Sequence, residues 1–288
     1  MRKTLLTTAS FILFVQLYVL GGPAIEELPQ TELVQTESHR SEPPLVTDRT
    51  DPPLVTDRPD QTESALVIPA WRLQIETGLS KEWVNSETDS YDQNTRYGTT
   101  LLRFGLFDFM EFRLGSDMLN NRQKLPAGVP RDDLGISPIG VGFKFALAKE
   151  NGLIPGIALI TSWQIPNTGN QAYASDKWQH SFVFAFAHIL SERWGLGYNL
   201  GYEFEGSFDV SAFKYTLVGG YSIADRWGAY IELYGSKVSA IPWDLRTDAG
   251  VTFLLFPSFQ LDFSGGLGLT ETSALGFISA GFSWRIPR

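Results

Sequence analysis

The 288-residue chain contains no cysteine, and it has only three methionines and three histidines. The lack of cysteine excludes a disulfide scaffold, a zinc ribbon, a thiol nucleophile and a lipid-modified N-terminal cysteine. Basic residues are also scarce, 23 against 32 acidic residues, which gives a net charge of -9. Binding to a nucleic-acid backbone requires clustered positive charge, so we expect no nucleic-acid partner.

Glycine and aromatic residues are abundant. The chain has 27 glycines, 20 phenylalanines, 10 tyrosines and 8 tryptophans, with 43% apolar and 19% charged residues. This composition favours strands and tight turns over helices. We therefore expect an all-β protein with a substantial apolar surface to bury or to place in lipid.

The N-terminus has the pattern of an export signal over residues 1–24. Two basic residues precede the apolar stretch Leu5–Leu20, and a segment of small residues ends at Ala24, where we expect cleavage. A membrane anchor is the less favoured alternative, because Glu26 follows too soon for a span of about 20 apolar residues. No later run of 18 or more apolar residues occurs.

Residues 25–60 are rich in Pro, Thr, Glu and Asp and contain no aromatic residue. Such a segment buries too little apolar surface to offset chain entropy, so we predict a flexible or extended periplasmic linker. It contains a nine-residue duplication, in which Pro52–Asp60 repeats Pro43–Asp51. Two copies are too few for a solenoid. We favour a duplication without its own function over a binding motif.

From Leu66 onward the sequence alternates with a period of two. In the first strand Trp71, Leu73 and Ile75 share one face, and Arg72 and Gln74 share the other. This alternation is the pattern of a β-sheet with one apolar face. About twelve such strands fit residues 61–288, each a tilted span of about 10 residues plus a connection.

Connection lengths favour a membrane barrel over a soluble sandwich. Short turns are predicted around Asp108, Asp225 and Pro257, and also near residues 150 and 192. The alternate connections, residues 80–94, 117–134 and 167–177, are longer and polar. Short turns at one rim and long loops at the other are typical of outer-membrane barrels. The prediction is an antiparallel up-and-down transmembrane β-barrel with both ends in the periplasm.

The eight tryptophans support this prediction, because aromatic rings prefer the two membrane interfaces. All of them fall at the ends of predicted strands. Trp71, Trp194, Trp227 and Trp284 lie at the short-turn rim, and Trp83, Trp163, Trp178 and Trp243 lie at the long-loop rim. The alternative is that they cap the core of a soluble β-sandwich.

If the apolar rows face lipid, the opposite rows carry charged side chains into the lumen. These candidates are Arg103, Glu111, Arg113, Lys144, Glu203, Lys214, Glu232, Asp244, Arg246, Asp248 and Asp262. Arg103 and Arg113 are placed five residues either side of Asp108, so a hairpin sets them opposite each other with Glu111 nearby. We favour an ion-pair cluster that holds the barrel, with a selectivity constriction as the alternative.

Little in the sequence supports catalysis. His39 lies in the linker, and His180 and His188 share a strand whose Ser181 points to the opposite face, so no Ser–His pair is evident. Gly140 and Gly266 lie in glycine-rich stretches that open no helix after a parallel strand. We expect no enzyme, no cofactor and no metal site.

Two segments carry a family resemblance. Thr56–Gly78 and Leu101–Gly115 resemble the opening motif and the next hairpin of the outer-membrane transporter family named for the meta-pathway of phenol degradation. The chain departs from that motif at Ala65, Ala70 and Trp71. The resemblance implies a bacterial outer-membrane barrel that passes small, often aromatic, compounds. Outer-membrane lipid, a small-molecule solute and the outer-membrane assembly machinery are the implied partners.

Barrel size bounds the function. Twelve tilted strands close on a backbone radius of about 12 Å, which leaves a narrow bore after side chains fill it. This lies between eight-stranded barrels and open sixteen-stranded porins. We therefore expect a narrow channel or transporter. A non-transporting scaffold that anchors the linker is the alternative, and an outer-membrane enzyme is a distant one.

Overall fold

The computed structural model describes residues 52–84, 91–124 and 131–287. Every regular element in these ranges is a strand. The strands are β1 Leu73–Val84, β2 Tyr91–Phe107, β3 Met110–Lys124, β4 Arg131–Ile136, β5 Gly140–Ala148, β6 Gly156–Gln164, β7 Gln179–Ile189, β8 Trp194–Glu205, β9 Ser207–Ala224, β10 Trp227–Val238, β11 Asp244–Phe256, β12 Phe259–Gly268 and β13 Gly276–Ile286. The described residues contain no helix long and apolar enough to cross a membrane.

The strands form one antiparallel sheet that closes on itself. Apart from β4 and β5, consecutive strands pair, and β1 returns to β13 with Leu73 opposite Ile286. Strands β4 and β5 both pair with β3 and therefore share one position in the barrel. Pro138 lies between them and lacks the N–H that a continuous ladder needs. The described chain thus forms a closed barrel of twelve strand positions, and the predicted fold is confirmed.

The barrel has charged and polar side chains inside and apolar side chains outside, which is the reverse of a soluble protein. Its largest fully buried side chains are charged or polar, including Arg103, Lys144 and Glu232. Leu217 and Phe263 on the outer face are 46% and 55% exposed. Because charged groups are buried only when paired, and a band of exposed apolar residues needs lipid, this arrangement contradicts the sandwich alternative.

The two rims differ as the sequence predicts, but the long-loop rim contains more strand. Two residues join β9 to β10, two join β11 to β12, and both barrel ends lie at this rim. At the other rim 167–177 is a loop as predicted, whereas much of 80–94 and 117–134 is strand. The loop prediction was wrong there because pairing of β1, β2 and β3 continues through residues that are polar on both faces, which gives no apolar alternation to detect.

All eight tryptophans lie within two residues of a strand end. Trp194 and Trp227 begin β8 and β10, for example, and Trp83 and Trp163 are the penultimate residues of β1 and β6. The predicted placement at strand ends is therefore confirmed. The outer surface therefore carries a girdle of aromatic side chains near each rim.

Of the residues before β1, the described stretch Pro52–Ala70 lies inside the barrel. Residues 1–51, which include the predicted signal peptide and most of the predicted linker, lie outside the described residues. For Pro52–Asp60, however, the prediction of a linker without contacts was wrong. These nine residues have no aromatic ring or apolar run to pack, but the barrel wall supplies hydrogen bonds and ion pairs to their polar groups.

Candidate functional site: the lumen segment and its charged wall

We call residues Pro52–Ala70 the lumen segment. It has no regular secondary structure, so its backbone N–H groups need partners from the wall. Wall carboxylates supply them: the N–H of Asp57 donates to Glu76 Oε2 at 3.0 Å, and that of Ile68 donates to Glu111 Oε2 at 2.7 Å. The N–H of Gln61 donates to a further carboxylate at 2.8 Å. The wall thus replaces the ladder partners that this segment lacks.

Asp57 is the centre of a cationic cluster on three neighbouring strands. Its carboxylate lies 3.0 Å from Arg103 of β2, 2.6 Å from Arg113 of β3 and 2.9 Å from Lys144 of β5. Burial by itself would raise the pKa of Asp57. The three positive charges outweigh burial and hold that pKa well below its usual range. Asp57 is therefore ionised and ties the segment to the wall.

Further carboxylates complete this cluster. Arg103 Nε lies 2.8 Å from Glu111, and its Nη1 lies 2.9 Å from Glu76. Arg113 lies 2.8 Å from Glu63 and 3.2 Å from Glu111. The hairpin sets Arg103 directly opposite Arg113, as the spacing about the β2–β3 turn predicts. Like charges are held together here because carboxylates lie between them.

Arg58 occupies a second anchor, formed by residues of β2, β12 and β13. Its guanidinium lies 2.9 Å from Asp262 and donates to Thr99 at 3.0 Å and to Ser279 at 3.2 Å. Gly78 and Gly281 face each other on β1 and β13, and a Cβ at either position would overlap this guanidinium. The two glycines therefore form a slot that admits the arginine.

Neutral contacts also hold the segment. The side-chain amide of Asn199 pairs with the backbone of Glu63, as a neighbouring strand would. It accepts from the Glu63 N–H at 2.6 Å and donates to the Glu63 carbonyl at 3.0 Å. Ala65 belongs to a small buried apolar cluster with Ala158, Ile160 and Ala185. Polar and apolar contacts from many strands thus fix one path for the segment.

The lumen segment separates two cavities. One has a volume of about 640 Å³ and the other about 560 Å³. Four residues of the segment line both cavities: Arg58, Pro59, Asp60 and Glu63. Any solute that crosses the barrel must pass this layer.

The remaining predicted lumen residues fall into three groups. Lys214 and Glu203 form a half-exposed pair at 2.5 Å. Arg246 lies 2.7 Å from Glu82 and 2.9 Å from Asp244. Asp262 binds Arg58, Glu232 accepts from the segment, and the oxygens of Asp248 have no hydrogen-bond partner in the described part of the chain.

Sequence reasoning missed the residues of the lumen segment and some of their partners. Asp57 and Arg58 belong to the second copy of the duplication, which was interpreted as a linker. Glu76 and Gly78 lie on the polar face of the predicted first strand. That face was a usable signal for Glu76, whereas no local pattern identifies the slot for Arg58.

The model of the family described as "Putative MetA-pathway of phenol degradation" matches residues 56–286. An outer membrane channel from Pseudomonas putida F1 is 13% identical, with a TM-score of 0.62 over 77% of this chain and 98% of that chain. The KdgM porin is 8% identical, with a TM-score of 0.49 over 73% and 98%. The search of curated proteins found no match. The similarity to the Pseudomonas channel establishes a common fold.

Proposed function

Because the chain belongs to the family described as "Putative MetA-pathway of phenol degradation", we propose that its barrel is a narrow channel for small molecules across the bacterial outer membrane. The observation that carries the proposal is the pair of cavities on either side of the lumen segment. The lumen segment lies between them, and four of its residues line both. In this proposal the lumen segment is the constriction of the channel.

We propose small aromatic compounds with a polar substituent as the solutes. The larger cavity combines charged groups such as Arg96 and Asp117 with apolar ones such as Leu101, Val141 and Phe277. A ring with one polar group can contact both kinds of side chain. The reference to phenol degradation in the family description supports the same class.

One observation favours a second function, a scaffold without transport. The lumen segment is held by buried ion pairs to Asp57 and Arg58, and such contacts are costly to break. A barrel closed in this way would anchor residues 25–51 as a periplasmic linker. The two functions predict opposite results when the segment is loosened.

Single-channel recording in planar bilayers tests the proposal. The Arg58→Ala variant removes the anchor in the glycine slot, so we expect its conductance to exceed that of the wild type. Arg226→Ala is the matched control, because Arg226 is exposed in the β9–β10 turn, and we expect no change. A scaffold would be silent in all three proteins.

Liposome swelling with phenol and with benzoate tests the solute class. We expect the folded wild-type barrel to admit one or both, and Arg58→Ala to admit them faster. A wild-type barrel that is folded by its heat-modifiable gel mobility, yet silent in bilayers and impermeable to both compounds, would contradict the channel.

A further inference from the structure

We propose that the wall anchors of the lumen segment accept either copy of the nine-residue duplication, so that residues 43–51 can replace residues 52–60 in the lumen. This goes beyond the proposed channel function and does not require the barrel to conduct. It rests on the wall contacts of the second copy, and on the identity of the two copies at every position that hydrogen-bonds to or ion-pairs with the wall. The duplication then has a function, because it gives one set of anchors two equivalent occupants.

The wall binds backbone carbonyls at the start of the second copy. Arg285 donates to the carbonyls of Pro52 and Pro53, the latter at 3.2 Å. Gln74 Nε2 donates to the carbonyl of Val55 at 2.8 Å. A proline fixes its own φ and restricts the residue before it, so a Pro-Pro pair is close to one backbone path before it binds. The first copy begins with the same four residues, Pro-Pro-Leu-Val, at positions 43–46.

Three side chains of the second copy contact the wall. Asp57 pairs with three buried bases, and Arg58 occupies the glycine slot and pairs with Asp262. The Thr56 hydroxyl accepts from Gln260 at 3.1 Å. The first copy carries the same three side chains in the same order, as Thr47, Asp48 and Arg49. Each of these anchors therefore finds the same chemical group in either copy.

The copies differ at one position, where Pro59 of the second copy corresponds to Thr50 of the first. Proline has no N–H and no polar side-chain atom, so Pro59 donates no hydrogen bond to the wall. Threonine at that position removes no donor on which the wall depends. Asp60, the last residue of the second copy, corresponds to Asp51. The single difference thus leaves all the anchoring groups intact.

Buried charge makes exchange more favourable than simple release of the second copy. Arg103 and Lys144 are both 0% exposed, and withdrawal of Asp57 would remove the carboxylate that they share. The side chain of Asp262 is also 0% exposed and would lose Arg58. A buried charge that loses its partner is strongly unfavourable. The first copy supplies a carboxylate and a guanidinium nine residues earlier, so exchange keeps these charges paired.

The exchange does not require the rest of the lumen segment to move. Nine added residues fall between the anchors and Gln61, so Glu63 can stay paired with Asn199, and Ile68 with Glu111. The end of the second copy already borders both cavities, so the displaced residues enter free volume rather than packed side chains. What changes is the length of chain in the lumen, not its attachment to the wall.

Cross-linking of paired cysteines in the purified, folded full-length barrel tests the exchange. Gln260→Cys on the wall is combined with Thr56→Cys in the second copy or with Thr47→Cys in the first, and a short bifunctional maleimide joins the two thiols. The natural chain has no cysteine. We expect cross-links within one chain for both pairs, with the higher yield for Thr56→Cys. Thr36→Cys is the control partner for Gln260→Cys, because Thr36 lies in the predicted linker outside the duplication, and its yield should be several-fold below that of Thr47→Cys.

Identical substitutions in the two copies separate exchange from random motion of the linker. Asp57→Asn with Arg58→Gln weakens the second copy, so it should raise the Thr47→Cys yield several-fold. Asp48→Asn with Arg49→Gln weakens the first copy and should lower that yield to the level of the control pair. Equal yields in all three backgrounds would overturn the proposal, as would cross-links between two chains, since the first copy would then occupy a neighbouring barrel. The yields are measured without ion flow, so they do not depend on whether the barrel conducts.

Discussion

At the scale of single residues, the lumen contains charged side chains that are fully buried, which is rare in soluble proteins. Arg103 and Lys144 are both 0% exposed, yet each lies within ion-pair distance of Asp57. The folded barrel tolerates these charges only when all of them are paired, because a buried charge that loses its partner has neither water nor an opposite charge beside it. Individual substitutions in this cluster should therefore have large effects.

Replacing Arg103 tests this directly. Arg103→Gln leaves Glu76 and Glu111 buried without their main positive partner, so we expect the free energy of unfolding to fall by roughly 3–5 kcal/mol. Urea unfolding of the barrel in lipid measures the change. Arg226→Gln removes the same charge from an exposed turn and should change stability by less than about 0.5 kcal/mol. An equal effect of the two substitutions would refute the importance of burial.

The glycine slot provides a second residue-scale test. In Gly281→Ala the new Cβ overlaps the Arg58 guanidinium, so we expect the lumen segment to detach more often. A maleimide reagent reports detachment through Ala65→Cys, which is buried in the apolar cluster, and the natural chain has no cysteine. Labelling should be several-fold faster with Gly281→Ala. Gly220→Ala is the control, because nothing lies within 4 Å of its Cβ. Equal rates would exclude the slot as an anchor.

At the scale of elements, each strand has one face for lipid and one for the lumen. On β9, Leu217 is 46% exposed on the outer face, whereas its neighbour Val218 is 8% exposed inside. The two faces are chemically different because lipid accepts no charge and the lumen supplies partners for it. The pairing register decides which face a residue occupies.

Leu217→Arg tests the lipid face. Leu217 lies midway between the aromatic residues Phe213 and Tyr221 of β9, near the membrane midplane. We expect the free energy of unfolding to fall by about 2–4 kcal/mol, the cost of arginine at that depth. Leu217→Met should cost under about 1.5 kcal/mol. Urea unfolding in lipid vesicles measures both, and a tolerated arginine would place this face away from lipid.

At the scale of the whole molecule, closure and rim asymmetry set the orientation. Both ends of the barrel lie at the rim with two-residue turns, and the longest described connection, residues 165–178, lies at the other rim. Outer-membrane barrels keep short turns in the periplasm and longer loops outside. We therefore propose that the lumen segment enters from the periplasmic side, where it joins β1.

Cysteine labelling of intact cells tests this orientation. A membrane-impermeant maleimide should label Glu271→Cys, in the exposed connection between β12 and β13, and should leave Asp225→Cys unlabelled. Both should label after the outer membrane is permeabilised. Labelling of Asp225→Cys alone in intact cells would invert the topology.

The sequence by itself determined the features that repeat along the chain at short range. The period of two in β1, the aromatic residues at strand ends and the two-residue turn about Asp225 are local patterns, so strand count, rim asymmetry and the lipid-facing rows could be predicted. The pairing of Arg103 with Arg113 was also accessible, because a tight hairpin fixes which residues face each other. The full length of β2 and β3 could not be predicted, since the ends of these strands at the long-loop rim are polar on both faces.

Only the tertiary structure decided what fills the lumen. Arg58 binds Asp262 across 204 residues of sequence, and Gln61 binds Glu232 across 171. No periodicity links residues so far apart, and a segment rich in Pro, Thr and Asp has the composition of a linker wherever it lies. Barrel closure brings its partners together on one inner surface, so the position of the lumen segment depends on contacts that exist only after the wall has formed.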